Sequence, residues 1–196
     1  MLCGIDEAGR GPLAGPVCAA TAVLPGDFPR EVLRDSKKLT PPRREAARVL
    51  ICEKALAWGI GWASAAEIDE INILQASLLA MERAFRAMTL AFPAVIPGRP
   101  VPGEIPPDGP EAVVDGLYVP RLPIPCRALV KADNLIPAVM AASILAKTAR
   151  DRMMERYSWL YPQYGYEKHK GYPTREHREN LARYGPSPIP RKSFSF

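Results

Sequence analysis

Residues 4–16 read Gly4-Ile5-Asp6-Glu7-Ala8-Gly9-Arg10-Gly11-Pro12-Leu13-Ala14-Gly15-Pro16, and they are the most informative stretch of the chain. A short apolar segment leads into two adjacent acids, and a turn rich in glycine and proline follows them. Carboxylate oxygens are preferred ligands of hard divalent cations. Glycine has no Cβ, so a ligand can come close to the backbone of the turn, and the planar guanidinium of Arg10 suits phosphate groups. The stretch therefore predicts a metal site beside a phosphate-binding loop, and it indicates chemistry on a phosphodiester.

The segments around this turn predict a mixed α/β sheet. Residues 2–5 form a short apolar strand, and residues 16–24, rich in Val, Ala and Thr, are predicted to pair with it as a hairpin. Farther along, apolar periodicity and helix-start signals predict alternating strands and helices. The predicted strands are 58–63, 112–116 and 127–131, and the predicted helices are 41–56, a short one from 64, 72–92, 135–157 and 174–184. This alternation after an initial antiparallel pair favours an α/β fold with helices packed on the sheet.

Three acids occupy equivalent places in this predicted sheet. Asp6, Asp115 and Asp133 each follow a short apolar strand, at the edge where ligands bind in open α/β sheets. Converging carboxylates repel unless a cation neutralises them, and an oxygen-only ligand set indicates Mg²⁺ or Mn²⁺ rather than zinc. Glu7 can join them only if it already belongs to the turn, because neighbouring strand residues point to opposite faces. A helix cap or a turn residue is the alternative for any single strand-end Asp, and Asp133, just before a helix, fits it well.

The C-terminal quarter of the chain is basic. The net charge is +5, and residues 147–196 contain 11 basic and 5 acidic side chains, against 15 and 16 in residues 1–146. This distribution fits contact with a polyanion, although a solvated basic helix and tail would have the same composition. Asp151 lies in this region, roughly 20 Å from Asp133 along a continuous helix. We therefore expect Asp151 to pair with a basic neighbour on its own helix, Lys147, Arg150 or Arg152.

Composition restricts the other classes of protein. The length of 196 residues predicts one domain. No apolar run reaches about 18 residues, and the first residues lack a signal-peptide pattern, so we expect a cytoplasmic protein with no membrane span. The cysteines at positions 3, 18, 52 and 126 include no CxxC pair, and we expect reduced thiols in or near the core. Residues 93–110 are rich in proline and glycine and predict an exposed loop.

Eight motifs along the chain resemble those of type 2 ribonuclease H (ribonuclease HII). They are CGIDEAGRGPLAGPV at 3–17, DSKKL at 35–39, INILQA at 71–76, VDG at 114–116, KAD at 131–133, AASILAK at 141–147, HKGYPT at 169–174 and GPSP at 185–188. Two positions depart from the family pattern. Leu117 stands where a polar residue often follows VDG, and Ala132 replaces the glycine of a Lys-Gly-Asp motif. Neither departure removes an acid.

The resemblance implies an RNase H-like mixed β-sheet flanked by helices, with a small helical C-terminal part. It implies one catalytic domain over residues 1–196 that contains the basic helical region 147–196. The implied activity is a metal-dependent endoribonuclease that hydrolyses the RNA strand of RNA–DNA hybrids. The enzyme would also cut 5′ to ribonucleotides embedded in duplex DNA, leaving a 5′-phosphate and a 3′-hydroxyl. Two Mn²⁺ or Mg²⁺ ions would take part, and the chain would act as a monomer.

The resemblance also assigns roles to particular residues. The acidic metal-site positions of the family fall on Asp6, Glu7, Asp115 and Asp133. The element expected to recognise the ribose 2′-OH falls on Gly9, Arg10 and Gly11, and the tyrosine that stacks beside the next deoxyribose falls on Tyr172. Lys37 and Lys38 are candidates for phosphate contact, with a solvated loop as the alternative. His169 and His177 form no ligand pair, because eight residues and a Gly-Pro turn separate them.

Three other functions stay open on the residues alone. One is another two-metal nuclease of the same superfamily, such as a junction resolvase, which a ribonucleotide-substituted duplex would distinguish. Another is a non-catalytic nucleic-acid-binding module, which the retention of four acids disfavours. The third is a small-molecule phosphatase, in which the basic C-terminal region would have no purpose.

Overall fold

The computed structural model describes residues 1–33, 39–93 and 110–194. Its centre is a five-stranded sheet with the strand order β3-β2-β1-β4-β5. The strands are β1 (Leu2–Ala8), β2 (Val17–Val23), β3 (Ala57–Ala63), β4 (Glu111–Asp115) and β5 (Cys126–Leu129). The first three strands are antiparallel neighbours, whereas β1, β4 and β5 run parallel. The predicted mixed sheet is confirmed, and its parallel half brings the carboxyl ends of β1, β4 and β5 to one edge.

Helices cover both faces of the sheet. The α-helices of the described residues are α1 (Pro41–Lys54), α2 (Ala65–Ala91), α3 (Pro137–Leu160), α4 (Tyr166–His169) and α5 (Arg175–Tyr184), and the first three pack on the sheet. Helix α2 packs on one face with Ala19, and helices α1 and α3 pack on the other with Cys18 and Ala20, as the strand alternation requires. Helix α3 approaches β1 so closely that a Cβ on Gly4 would lie 2.1 Å from the carbonyl carbon of Ala138. This close packing places α3 directly beneath the strand that contains Asp6.

The two helices predicted on either side of Asn72 form one kinked element. Helix α2 begins with a capping box, in which Ser64 accepts from the Glu67 N–H and Glu67 accepts from the Ser64 N–H. Asn72 has a φ of 68° inside the helix, and its Oδ1 accepts from the backbone N–H groups of Leu74 and Gln75. Asn72 therefore caps the second segment, so the predicted helix start appears as a kink.

Three further sequence predictions can be compared with the structure. Strand β5 ends at Leu129, earlier than predicted, because Lys131 adopts a left-handed conformation with φ of 61° that a strand cannot continue. The four cysteines are free thiols, as predicted. None of the described helices combines the length and the apolar composition needed to cross a membrane. The proline-rich segment falls almost entirely outside the described residues.

Candidate active site

Three acids meet at the carboxyl edge of the parallel strands. Asp6 lies near the end of β1, Asp115 ends β4, and Asp133 lies in the 3₁₀ turn Ala132–Asn134 that follows β5. One carboxylate oxygen from each acid lies within 4.8 Å of the others. Asp6 and Asp133 are buried, with 5% and 1% of their surface exposed, and Asp115 is partly buried. We call Asp6, Asp115 and Asp133 the acidic cluster; they line an open cavity.

Backbone and side-chain amides hold the acidic cluster in place. Asp115 Oδ1 accepts from the Ala132 N–H at 2.8 Å, which locks the turn after β5 against the end of β4. Asp6 Oδ1 accepts from the Glu7 N–H at 2.7 Å. Asp133 Oδ1 accepts from Asn134 Nδ2 at 3.0 Å. The three carboxylates are therefore oriented before any ligand binds.

Glu7 reaches the same cavity by a route that differs from the sequence expectation. It has not left the strand, because β1 continues to pair with β2 through Glu7↔Ala19 and Ala8↔Cys18. Its long side chain nevertheless lines the cavity. Glu7 Oε1 lies 3.4 Å from Arg10 Nη1, and Oε2 is buried without a hydrogen-bond partner among the described residues. A buried carboxylate oxygen that has no partner is rare in native proteins and marks a place where a ligand can bind.

Electrostatics at this edge disfavour a full set of ionised carboxylates. Burial raises the pKa of Asp6 well above its usual value, and the charges of Glu7 and Asp115 raise it further. Burial also raises the pKa of Glu7, although Arg10 opposes that shift. Like charges in a buried place cost free energy unless a cation balances them. The donor set consists of oxygen only, which suits Mg²⁺ or Mn²⁺.

The predicted 2′-OH element and the predicted stacking tyrosine lie side by side. Gly9 has a φ of 100°, which turns the chain out of β1. The next glycine, Gly11, faces Tyr172, since a Cβ there would lie 3.6 Å from Tyr172 Cε1. The Leu13 N–H donates to the Gly171 carbonyl at 2.8 Å and ties the two segments together. Gly9 and Tyr172 both line the cavity of the acidic cluster, and Gly11 adjoins it through its contact with Tyr172.

Two stacked histidines lie behind Tyr172. The rings of His169 and His177 are 4.4 Å apart and nearly parallel. His169 Nδ1 accepts from the Gly171 N–H at 3.2 Å, and His177 Nδ1 donates to the Tyr172 carbonyl at 2.9 Å. Burial lowers the pKa of both histidines. They therefore position the backbone around Tyr172 as neutral rings.

Three polar residues of the cavity were not assigned from the sequence. Ser143 and Lys147 lie one turn apart on α3, and Arg44 comes from α1. A hydrogen bond from Ser143 lowers the pKa of Asp6 and so opposes part of the effect of burial. The i, i+4 spacing of Ser143 and Lys147 in AASILAK was the available signal, because such residues share one face of a helix. Lys37 and Lys38 lie outside the described residues.

The basic C-terminal region is divided between several environments. Asp151 pairs with Lys147 at 2.7 Å, as predicted, and Arg44 lies 3.7 Å away from it. Arg150 and Arg191 are buried. Three others face carboxylates in the pairs Lys168–Glu176, Lys170–Glu155 and Arg175–Glu179. Phosphate contact therefore cannot be attributed to the region as a whole.

Comparison with known proteins gives one consistent family. The family model described as ribonuclease HII matches residues 3–195. A protein of Treponema denticola named ribonuclease HII is 54% identical over 99% of this chain and 98% of its own length. The crystal structure of ribonuclease H2 from Pyrococcus horikoshii OT3 is 26% identical, with a TM-score of 0.71 over 99% of this chain and 93% of that one.

A more distant structure supports the fold alone. Bst-RNase HIII, solved in complex with Mn²⁺, is 17% identical, with a TM-score of 0.71 over 99% of this chain and 67% of that one. Its sheet and helices therefore share the RNase H-like architecture described above. With the family match over almost the whole length, this chain belongs to the ribonuclease HII family and is a type 2 ribonuclease H.

Proposed function

We propose that this ribonuclease H acts as a metal-dependent endonuclease on RNA–DNA duplexes. It hydrolyses the RNA strand of hybrids and cuts 5′ to a ribonucleotide embedded in duplex DNA, leaving a 5′-phosphate and a 3′-hydroxyl. The observation that carries this proposal is the approach of three carboxylate oxygens from Asp6, Asp115 and Asp133 to within 4.8 Å of one another. Family membership supplies the substrate class.

The residues fit a pair of divalent cations, Mg²⁺ or Mn²⁺. Asp6, Glu7, Asp115 and Asp133 would hold them, since all four line one cavity. Two observations support this assignment: Oε2 of Glu7 is buried with no hydrogen-bond partner in the described part of the chain, and the pKa values of Asp6 and Glu7 are raised. When bound, such ions activate a water molecule for attack on the phosphate and stabilise the leaving 3′ oxygen.

The other residues of the site orient the nucleic acid. The small residues Gly9 and Gly11 let the backbone approach the minor groove, where the 2′-OH distinguishes RNA from DNA. Arg10, whose side chain is 47% exposed, is available to both Glu7 and a phosphate. Tyr172, 40% exposed, packs on the next sugar and so sets the polarity of the cut strand.

Lys147 and Arg44 extend the site toward the phosphate backbone. Both line the cavity and face Asp151, which holds their charges near the acidic cluster. Cations in such a position contact phosphates without regard to sequence and make affinity fall with salt. Lys37 and Lys38 are proposed for the same role on the sequence resemblance alone.

The test uses a DNA duplex that contains one labelled ribonucleotide, with Mg²⁺ and Mn²⁺ added in turn. The wild-type protein is expected to cut 5′ to the ribonucleotide and to leave an all-DNA duplex intact. Asp115→Asn is expected to abolish cutting while duplex binding survives. The matched control is Glu111→Gln, at the exposed opposite end of the same strand, which should cut as wild type does. Equal cutting by Asp115→Asn would refute the assignment of the acids.

A further inference from the structure

Two buried arginines lie behind residues 9–16, which we call the glycine loop. Arg150 comes from α3 and Arg191 from the C-terminal segment, with 1% and 0% of their surface exposed. Both belong to the basic C-terminal region, whose composition fits either contact with a polyanion or a solvated helix and tail. Their burial removes them from direct contact with a nucleic acid and requires another explanation.

The hydrogen bonds of Arg191 go to backbone carbonyls of the glycine loop. Nη2 donates to Gly9 O at 2.6 Å, Nη1 to Arg10 O at 2.9 Å, and Nε to Gly15 O at 2.9 Å. Nη2 also lies 3.2 Å from Pro16 O. The planar fork of an arginine can serve several acceptors at once, which one ammonium group cannot do in the same directions.

Arg150 donates to further carbonyls of the same loop and shares the Pro16 carbonyl with Arg191. It donates to Pro16 O at 3.1 Å, to Ala14 O at 3.2 Å, and to Lys170 O at 3.0 Å. Gly9 admits this side chain, because a Cβ on Gly9 would lie 1.9 Å from Arg150 Nε. Arg150 therefore connects the glycine loop to the segment that carries Tyr172.

The two buried guanidinium groups depend on these carbonyl dipoles for electrostatic stabilisation. Neither guanidinium forms a salt bridge with a carboxylate among the described residues, and burial together with Arg150 lowers the pKa of Arg191. A buried charge without a counter-ion is costly unless dipoles are oriented toward it. The carbonyl groups must therefore keep pointing inward while the two cations stay in place.

This constraint fixes the outward face of the loop. In a trans peptide, the C=O of one residue and the N–H of the next point in opposite directions. The Gly9 and Arg10 carbonyls point toward Arg191, so the N–H groups of Arg10 and Gly11 point away from it. Neither N–H donates to an acceptor within the described part of the chain. Two backbone donors are thus presented on the side of the loop opposite Arg191.

The C-terminal segment that supplies Arg191 is itself anchored twice. The Arg191 N–H donates to Leu13 O at 2.9 Å, and the Gly15 N–H donates to Ile189 O at 2.8 Å. Farther on, Asp69 of α2 accepts from the N–H groups of Lys192 and Ser193 at 3.0 and 2.9 Å. The guanidinium is therefore held from the glycine loop on one side and from α2 on the other.

We propose that Arg191, together with Arg150, is a positioning residue for 2′-OH recognition: it orients the peptide groups of Gly9 and Arg10 without touching the substrate. This inference rests on the proposed role of Gly9, Arg10 and Gly11. It predicts that a change at a buried C-terminal arginine alters discrimination at the sugar. A role limited to stability would lower the amount of folded enzyme and leave discrimination unchanged.

The test compares wild type with Arg191→Lys, which keeps the charge and loses the fork. Each enzyme is given duplexes with a ribonucleotide or a 2′-fluoro-2′-deoxyribonucleotide at the same position, and kcat and KM are measured for both. For Arg191→Lys, kcat/KM on the ribonucleotide duplex should fall by on the order of 10–100-fold. The ratio of kcat/KM on the ribonucleotide duplex to kcat/KM on the 2′-fluoro duplex should move toward one. The control is Arg175→Lys, whose side chain is 91% exposed, and it should behave as wild type.

A second variant keeps the test decisive if Arg191→Lys does not fold. Asp69→Ala removes the anchor of the C-terminal segment at exposed hydrogen bonds and leaves both arginines intact. In Asp69→Ala, the same ratio of kcat/KM values should also move toward one, by a smaller factor. An unchanged ratio in the folded variants would overturn the inference. A wild-type enzyme that cuts both duplexes equally would instead refute the proposed recognition by the loop.

Discussion

Two groups of like charge lie along β1 and the glycine loop, and their hydrogen bonding differs. The acidic cluster and Glu7 line an open cavity, and one buried oxygen of Glu7 has no hydrogen-bond partner within residues 1–33, 39–93 and 110–194. The arginine pair, Arg150 and Arg191, donates instead to a full set of backbone carbonyls. Burial of like charges thus has two outcomes here. The acids, which face an open cavity, are suited to bind a ligand, whereas the arginines, which donate to carbonyls, are suited to hold the backbone.

The largest expected effect comes from neutralising one member of the acidic cluster. Asp6→Asn should reduce cleavage by on the order of 10³-fold or more, because metal assistance contributes several kcal/mol. The metal-free variant should nevertheless unfold at an equal or higher temperature. The pKa of Asp6 is raised in the folded protein, so its ionised form at neutral pH opposes folding, and the amide removes that cost. Thermal unfolding in the presence of a chelator measures this, and a clearly lower midpoint would contradict it.

Removing a member of the arginine pair should have the opposite effect on stability. Arg150→Met removes the donor to the carbonyls of Ala14 and Lys170 and one of the two donors to the carbonyl of Pro16. We expect the free energy of unfolding to fall by about 2–4 kcal/mol, as measured by urea denaturation. Arg152→Met, on the same helix with a half-exposed side chain, is the control and should change stability by less than about 1 kcal/mol. Equal losses of unfolding free energy in Arg150→Met and Arg152→Met would show that the buried hydrogen bonds of Arg150 stabilise the protein no more than a half-exposed arginine does.

The stacked histidines provide an intermediate case, because burial lowers the pKa of both rings and so disfavours their charged forms. The pKa of His177 is lowered by burial, so its contribution to stability is present above the unfolded pKa of about 6.5. That contribution should be lost as the pH falls through 6.5 toward the folded value. The raised pKa values of Asp6 and Glu7 act with the opposite sign. Because these effects oppose each other, wild type is compared with a variant. Between pH 7.5 and 5.5, the free energy of unfolding should fall more in wild type than in His177→Asn. The same pH dependence in both proteins would contradict it.

The smallest expected effect is at Asp151, which is close to the cavity and outside the acidic cluster. Asp151→Asn should leave metal affinity within about twofold of wild type, since its carboxylate pairs with Lys147 and Arg44. Freed from that pair, the two cations should bind phosphate somewhat better, and KM should fall slightly. A loss of metal binding comparable to that of Asp115→Asn would show that Asp151 also belongs to the metal site.

The sequence was sufficient to predict the acidic cluster because parallel strands repeat one geometry. Asp6, Asp115 and Asp133 each follow an apolar run, and adjacent parallel strands bring such positions to one edge. The extension of β1 through Glu7 was not predictable, because pairing with β2 depends on a register that the motif itself does not encode. The end of β5 before Lys131 was likewise not predictable, because the left-handed conformation of Lys131 depends on tertiary context.

The arginine pair could not be predicted from residue types. Every residue contributes a backbone carbonyl, so the acceptors of Arg191 leave no pattern in the sequence. The charge count placed Arg150 and Arg191 in a basic region, and only the folded chain shows that they are buried. The bend at Gly9 gave a partial signal, since a turn-forming glycine also permits close approach of another side chain.

Binding of Mn²⁺ to the metal-free protein, measured by titration calorimetry without nucleic acid, tests the central claim most directly. The account predicts that wild type and Glu111→Gln bind Mn²⁺ alike, and that Asp115→Asn, with a folded structure, binds it at least tenfold more weakly. Equal affinity in all three proteins would contradict the claim that these carboxylates converge to hold a cation.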